Sequence, residues 1–522
     1  MSVRPIHFLP SPAKINAKCC PDGPMNKRNS QPTSPSGRQI ARGAAWLMLF
    51  KITDKTVGLV STLILARLLT PADFGLVAMA SSVVALTELM GAFGFDTALI
   101  QRQDARREHY DTAWTFNVIF GMSIALLLIV LADPAADFYH ESRLTLILPT
   151  LALGALISGF ENIGTVAFRK ELDFQSEFYF LLAKRITTFV VTIGLAISFR
   201  SYWALIAGMV TGRSMSVLIG YRLHPYRPRL DLSARADLFH FSKWLFISNL
   251  IQFLHSRSTD FILGRTVGGH GLGIYNVATE IATMPSTELI APLNRAVYPV
   301  YSRLALDPDQ LRKRFMEVFG MISLIAFPVA IGLFSIAGLI VRVLLGDQWL
   351  EAIPIVQIVA TCGLVGALQS NLYVLIVALG KPKANTMLSA LLLIVSLPVT
   401  IFASLSFGTI GAAYAHLGTA LLGLVGIFVI FTKIARISVQ MFAAVLWRPV
   451  LATAVMALVL PWTEVHLASG AIQSSAALQL IAQVFTGATI YAICVFLLWI
   501  AIGRPVSAER SILMAAAERL GR

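Results

Sequence analysis

Lys51, Asp54 and Lys55 stand at i, i+3 and i+4 inside an apolar run over roughly 42–67. On a helix that spacing puts the three on one face, and Gly58 continues it. Each cation at the centre of a membrane helix costs about 2.5–3.5 kcal/mol on the insertion scale. Two chemistries would compensate that cost. The ammonium groups could hold an anion, and a buried carboxylate could take up a proton or a cation. The structural alternative is an Asp54–Lys55 pair packed within a bundle, which leaves Lys51 unpaired.

Depth sorts the other charges in apolar runs. Arg213 falls near mid-membrane like Lys51 and Lys55, where a water-filled cavity accounts for a charge better than snorkelling does. Lys184 and Arg185 lie somewhat deeper than the helix ends. Lys243, Arg295, Arg342 and Arg448 sit near ends and can snorkel. The substrate-binding candidates are Lys51, Lys55, Arg213, Lys184 and Arg257. Among the acidic residues Asp54, Glu88, Glu161, Asp260, Glu280 and Glu288, the deepest are Asp54, Glu88 and Glu288, the candidates for ion coupling.

The elements that position these residues are membrane helices. Only 13% of the 522 residues are charged, about half the share of a soluble domain. Apolar stretches long enough to span hydrocarbon recur along the chain, and none shows the short alternating runs of a β-barrel. The fold class is therefore all-α, a multi-pass bundle of about fourteen helices. They fall at roughly 42–67, 73–99, 110–132, 144–166, 177–199, 201–222, 238–263, 270–300, 315–345, 350–378, 384–405, 408–431, 441–461 and 476–502. Residues 1–39 read as a disordered basic cytoplasmic tail, and 503–522 as an amphipathic cytoplasmic tail. The ninth run is too long for a plain span and is expected to kink at Pro328 or continue along the interface. Pro285, Pro292, Pro299, Pro354 and Pro398 are expected to interrupt or bend later helices.

Lys and Arg gather in alternate loops, among them Arg102, Arg106, Arg107, Arg169, Lys170, Arg227, Arg229, Arg312 and Arg314. The intervening loops carry Asp133, Asp137, Glu141, Asp347 and Glu351. That asymmetry places the basic loops and both termini in the cytoplasm. It also accounts for the net charge of +14 without nucleic acid as a partner.

An internal repeat adds organisation. At an offset of 198, Leu65, Arg67, Gly75 and Ala80 fall on Leu263, Arg265, Gly273 and Ala278, and Trp46 falls on Trp244. Lys51 and Asp54 fall on Asn249 and Gln252. Helices 1–2 thus match helices 7–8 in the same direction, a parallel repeat about an axis along the membrane normal. The expected domains are a six-helix lobe over 40–222, a second over 238–431 with a cleft between them, and two extra helices over 441–502.

Several motif matches lack their context. Asp73-Phe74-Gly75 has no Gly-rich loop or catalytic HRD, Asp307-Pro308-Asp309 no nucleotide-binding domain, and no GxxxxGK[ST] is present. The scattered His and the pairs Cys19-Cys20 and Cys362, Cys494 have no metal-site spacing, so no cofactor is expected.

The phrases "LARLLTPADFG" (65–75), "FGFDTALIQRQ" (93–103), "FRKELDF" (168–174), "GIYNVA" (273–278), "YPVYSRL" (298–304) and "LLGDQWLEAIPIVQIVA" (344–360) are together fairly specific. The chain over about 40–460 resembles Wzx-type oligosaccharide flippases of the polysaccharide transport family, within the multidrug/oligosaccharidyl-lipid/polysaccharide exporter superfamily. The tail is longer than the family usually shows, and Met25 is an alternative start. The resemblance implies a bacterial inner-membrane protein that moves undecaprenyl-diphosphate-linked repeat units to the outer leaflet for O-antigen, capsule or exopolysaccharide. Its implied partners are lipid-linked oligosaccharide, membrane lipid, a proton or sodium ion, and the polymerase and export machinery. It assigns no cavity residue, so the candidates above rest on depth and pairing. A cationic cavity suits a diphosphate. A drug/cation antiporter of the same superfamily would need an acidic cavity. A membrane polymerase or ligase would need catalytic residues outside, where the 462–475 loop offers only Glu464 and His466. A non-catalytic assembly scaffold would leave the buried charges unexplained.

Overall fold

The computed structural model describes residues 37–91, 94–102, 104–435, 438–469 and 475–503. Among them there are helices and connecting turns and no strand. In order the helices are α1 (Gly37–Leu68), α2 (Pro71–Glu88), α3 (Phe95–Gln101), α4 (Arg107–Val130), α5 (Ala132–Tyr139), α6 (Leu144–Gly159), α7 (Val166–Lys170), α8 (Phe174–Phe199), α9 (Trp203–Leu223), α10 (Arg235–Leu304), α11 (Pro308–Ser335), α12 (Ala337–Ile340), α13 (Ala352–Ala378), α14 (Pro382–Ala435), α15 (Val439–Ser469) and α16 (Ala476–Ala501). Single glycines break α10 and α14. Gly268 has φ 72° and ψ −174°, and Gly408 has φ 64° and ψ −143°, backbone that a Cβ disfavours.

Eight described segments are long and apolar enough to cross a membrane, or nine if the bent pair Leu144–Gly159 and Ile163–Lys170 is one span. Pro382–Lys433 is counted once although it runs 52 residues through the Gly408 break. The chain is an integral membrane protein. α1 is 32 residues long and fails only through its charges, because Lys51, Asp54 and Lys55 or the arginines before them fall in every span-length window.

Contacts divide the chain into two units. Unit 1 is Met1–Leu69 with Met79–Arg257, and unit 2 is Thr70–Ala78 with Ser258–Arg522. The core of unit 2 is aromatic: Phe315 lies 4.8 Å from Phe431, and Phe319 meets Phe442 edge-on at 5.0 Å. In unit 1, Phe95 stacks on Phe116 at 5.1 Å.

Within unit 2 the first turn of α2 crosses the start of the second half of α10. A Cβ on Gly75 would overlap the Gly269 carbonyl, and one on Gly273 would overlap the Pro71 carbonyl. The offset of 198 carries Pro71 onto Gly269 and Gly75 onto Gly273, so the two contacts are repeat-equivalent and reciprocal. Thr70 caps α2, its N–H donating to Asp73 Oδ2 at 2.9 Å. Phe74 lies edge-on to the fully buried Trp349 at 5.3 Å.

Several expectations are corrected. The second run ends at Glu88, and a new helix begins after Gly94, whose φ is 66°. The fourth breaks after Gly159 with a 64° bend, because Asn162 turns back to accept from the Gly164 N–H. Pro328 lies inside an unbroken α11, and the break comes after Ser335. Pro285, Pro292, Pro299 and Pro398 also leave helix on both sides, and Pro354 lies in the first turn of α13. Positive-φ Gly268 and Gly408, not the prolines, set the breaks inside α10 and α14. The expected 462–475 loop is helical through Ser469, and the side chains of Glu464 and His466 lie outside the description. Helix begins at Gly37, inside the expected 1–39 tail. The rest of that tail, residues 504–522 and the Lys243 side chain lie outside the described residues.

The crossing predicts a steric phenotype. Gly75→Ala and Gly273→Ala are each expected to cost about 1–3 kcal/mol through overpacking. Gly418, where a Cβ meets nothing within 4 Å, is the control. Thermal midpoints in detergent should fall for the first two variants and hold or rise for Gly418→Ala.

Candidate functional site

The charged cluster is built on a parallel helix pair. Gly43 of α1 packs on Phe174 of α8, Trp46 lies 4.9 Å from Phe178, and Phe50 lies 6.5 Å from the same ring. The contacts climb together along both helices. The next position of this stripe is Asp54, and it meets Arg185: Asp54 Oδ1 is 3.0 Å from Arg185 Nε. Arg185 Nη2 also donates to the Asp54 carbonyl at 3.4 Å. A Cβ on Gly58 would stand 2.7 Å from Arg185 Nη2, so the absent side chain is the space through which the guanidinium reaches. Arg185 Nε is buried and its ion pair lies off the N–H axis, which leaves that N–H without an acceptor.

Lys51 and Lys55 stand on the exposed flank of α1 beside this seam, near the midpoint of the helix. Lys184 is half-buried next to Arg185. On α9, Gly212 sits against Thr188, one turn along α8 from Lys184 and Arg185. The adjacent Arg213 lays its stem over Gly154 of α6 and donates from Nη2 to Glu88 Oε1. Five cations (Lys51, Lys55, Lys184, Arg185, Arg213) thus accompany two carboxylates, Asp54 and Glu88, in unit 1. Sequence reasoning left Arg185 out of the candidate set. The signal that could have found it is Gly58, a gap one turn beyond Asp54.

The remaining candidates stand elsewhere. Arg257 is half-buried on the first half of α10, and Glu288 is exposed on the second half in unit 2. Asp260 is buried, Glu280 is exposed, and Glu161 accepts from Ser216 Oγ at 2.8 Å. Arg295 and Arg342 are exposed, as snorkelling requires. Arg448 is not, being 7% exposed inside unit 2, because its position well inside the 31-residue α15 leaves it enclosed by packing. No group of three metal-ligand side chains occurs among the described residues.

A second polar structure in unit 1 is architectural. The segment 224–234 after α9 is strapped to the start of α4 and to the α6–α7 elbow. Buried Asp111 accepts from the Tyr226 hydroxyl at 2.6 Å and from the Arg229 N–H at 2.8 Å. Thr115 Oγ1 accepts from the Asp231 N–H at 2.9 Å, and Asn162 Nδ2 donates to the Tyr226 carbonyl at 3.0 Å. Burial, followed by the bond to Asp111, pushes the Tyr226 phenol far above its ordinary pKa. Burial also pushes His224 below 6.5 despite nearby Glu171, and its Nδ1 accepts from the Tyr226 N–H at 3.2 Å.

Protonated His224 cannot accept that bond. A histidine with a depressed folded-state pKa contributes stability above its unfolded value, and that contribution is lost as pH falls. Hydrogen exchange at the Tyr226 and Arg229 amides, corrected for intrinsic rates, should therefore speed up as pH drops below about 6.5. His224→Gln should remove the dependence. A flat profile in the unsubstituted protein would refute the assignment.

The polysaccharide biosynthesis protein family matches residues 64–354, more than half of the chain. The chain is 23% identical over 416 residues to the lipopolysaccharide biosynthesis protein WzxC of Escherichia coli (strain K12), covering 78% of this chain and 84% of that one. It is 25% identical over 337 residues to the teichuronic acid biosynthesis protein TuaB of Bacillus subtilis (strain 168), covering 64% and 70%. Among solved structures, the lipid II flippase MurJ in an inward closed conformation superposes with a TM-score of 0.69 at 13% identity, covering 87% of this chain and 99% of that one. An inward-facing multidrug resistance MATE transporter of the MOP superfamily gives 0.55 at 15% identity, covering 74% and 96%. The fold is that of MurJ and the MATE transporters. The resemblance seen in "LARLLTPADFG" and its companion phrases is borne out: the chain belongs to the polysaccharide biosynthesis protein family.

Proposed function

We propose that the protein flips lipid-linked oligosaccharide repeat units, carried on a polyprenyl diphosphate, from the cytoplasmic to the periplasmic leaflet of the bacterial inner membrane by alternating access. The observation that carries this reading is the surplus of cations midway along α1, α8 and α9, with a buried Arg185 N–H lacking an acceptor. A diphosphate diester is dianionic and cannot cross hydrocarbon unaccompanied, and guanidinium groups match phosphate oxygens in geometry and charge. Lys51, Lys55, Lys184, Arg185 and Arg213 hold the head group, and Arg257 contributes a further charge. Asp54 and Glu88 occupy Arg185 and Arg213 while no substrate is bound and are exchanged for phosphate when it arrives. One of Asp54, Glu88 and Glu288 then takes a proton or sodium ion, coupling transport to the ion gradient. The names of WzxC and TuaB, both polysaccharide biosynthesis proteins, and the fold shared with a flippase support this assignment.

The surplus of cations argues against a cationic drug as the principal cargo, because that cargo would meet like charge. In the same reading both termini are cytoplasmic, the chain carries no catalytic residues, and its products pass to the polymerase and export machinery.

The test is the sidedness of lipid-linked oligosaccharide in spheroplasts after depletion, read with a membrane-impermeant lectin. Units should be trapped on the inner face; units that reach the outer face unpolymerised would overturn the reading. Each charge-assisted bond is worth about 1.5–3 kcal/mol, so Lys51→Ala with Lys55→Ala, and separately Arg185→Ala, should lower outer-face arrival about tenfold or more. Wild-type arrival in the lysine double variant would remove α1 from the site.

A further inference from the structure

We propose that a cavity inside unit 2 binds an uncharged hexosyl residue of the lipid-linked oligosaccharide, a proposal that rests on the flippase reading for its cargo. The cavity is an open cleft of about 350 Å³ between the second half of α10, α13 and α14. That volume lies in the range of small-molecule sites and accommodates one pyranose ring. Its walls are small: Gly363, Gly366 and Ala291 leave backbone and methyl surface where larger side chains would fill the space. A Cβ added at Gly366 would meet no atom within 4 Å.

Two of the polar groups that face it, Asn294 and Ser370, are uncharged and held in place. Asn294 Nδ2 donates to Ser370 Oγ at 2.7 Å, and Asn294 Oδ1 accepts from Asn371 at 3.1 Å. Asn371 in turn accepts from the fully buried Tyr301 hydroxyl at 3.4 Å. This chain fixes the Asn294 amide and leaves its second N–H for a ligand. Ser370 donates onward to the Ala367 carbonyl at 2.7 Å. The Ser286 hydroxyl rests against Gly363 and lines the same cavity. A hydroxyl there can meet a ligand's hydroxyl as donor or as acceptor. His416 closes the third side, its Nδ1 within 3.3 Å of the Tyr275 hydroxyl.

Among the described residues, no Lys, Arg, Asp or Glu lines this cavity. A phosphate, an acidic sugar or an ammonium compound would lose its hydration there without a countercharge. A purely apolar ligand would leave the hydroxyls and the amide unanswered. A pyranose offers both C–H faces for the small walls and hydroxyls for Ser286 and Asn294. The neutral cavity of unit 2 therefore suits the uncharged sugar part of an amphipathic cargo.

The test introduces a thiol at Gly366→Cys in purified protein whose native cysteines are replaced (Cys19→Ser, Cys20→Ser, Cys362→Ala, Cys494→Ser). Modification by the neutral reagent methyl methanethiosulfonate is timed with about 0.1 M methyl α-glucoside, methyl α-galactoside or methyl α-mannoside, and with glucuronate, glucosamine or glycerol as controls. We expect at least one neutral glycoside to slow modification about threefold or more and the controls to leave it unchanged. An unreactive thiol, no protection by any neutral glycoside, or equal protection by the charged sugars would overturn the proposal. In cells, Gly366→Leu should fill the cavity and lower outer-face arrival of lipid-linked units about tenfold at unchanged protein level and thermal midpoint. Wild-type arrival would overturn the proposal as well. The thiol measurement requires no transport, so it decides this cavity even where the sidedness experiment rejects flipping.

Discussion

Hydrocarbon solvates neither charges nor unpaired backbone groups, and that constraint orders unit 1 around Asp54. The stripe Gly43, Trp46, Phe50, Asp54 of α1 runs along α8, apolar at its start and ionic at its middle. The aromatic contacts fix the register, and the register brings the carboxylate to Arg185. One turn on, Gly58 makes room for the guanidinium. The same device recurs on α9, where Gly154 gives space to the stem of Arg213 on its way to Glu88. Small residues thus act as the complement of long cations. The packing that holds α1 to α8 also determines that Asp54 meets Arg185.

The family phrases and the charged cluster answer different needs. "FRKELDF" builds the elbow: Phe168 packs edge-on to His224, Arg169 pairs with Glu177, Lys170 Nζ donates to the Arg102 carbonyl at 2.8 Å, and Asp173 caps α8. "YPVYSRL" supplies buried Tyr301, and "LLGDQW" supplies Trp349 beneath Phe74. Each phrase fixes a bend, a cap or a close approach. None contributes a cation to the seam of α1, α8 and α9. A scaffold specified by such phrases can carry different charge patterns on its open faces without altering how it folds.

Much of the architecture was legible because apolar length and the spacing of Lys51, Asp54 and Lys55 are local properties. Two positions aligned by the offset of 198, Gly75 and Gly273, meet at one helix crossing. Partner choice was not legible. Asp54 meets Arg185, 131 positions away, and nothing in the local pattern of either helix names the other. Helix breaks were misplaced for a related reason. Proline in a long helix reads as a break, yet neighbouring helices tolerate Pro328 and Pro398, while Gly268 and Gly408 take up backbone that other residues avoid. Arg448 looked free to snorkel by its distance from a helix end, but enclosure depends on neighbours that the linear sequence does not display.

The reciprocal form of the crossing has a mechanical consequence. Gly75 rests on the Gly269 carbonyl while Gly273 rests on the Pro71 carbonyl, so neither contact can open by a small slide without straining the other. A pair of helices locked at two equivalent points separates as a unit or stays closed, because close-packed interfaces offer discrete arrangements rather than a continuum. Trp349, fully buried and edge-on to Phe74, adds a large apolar contact to the same crossing. Two-point contact between Gly75 and Gly273 therefore makes this crossing a tight joint, held by backbone approach at both points.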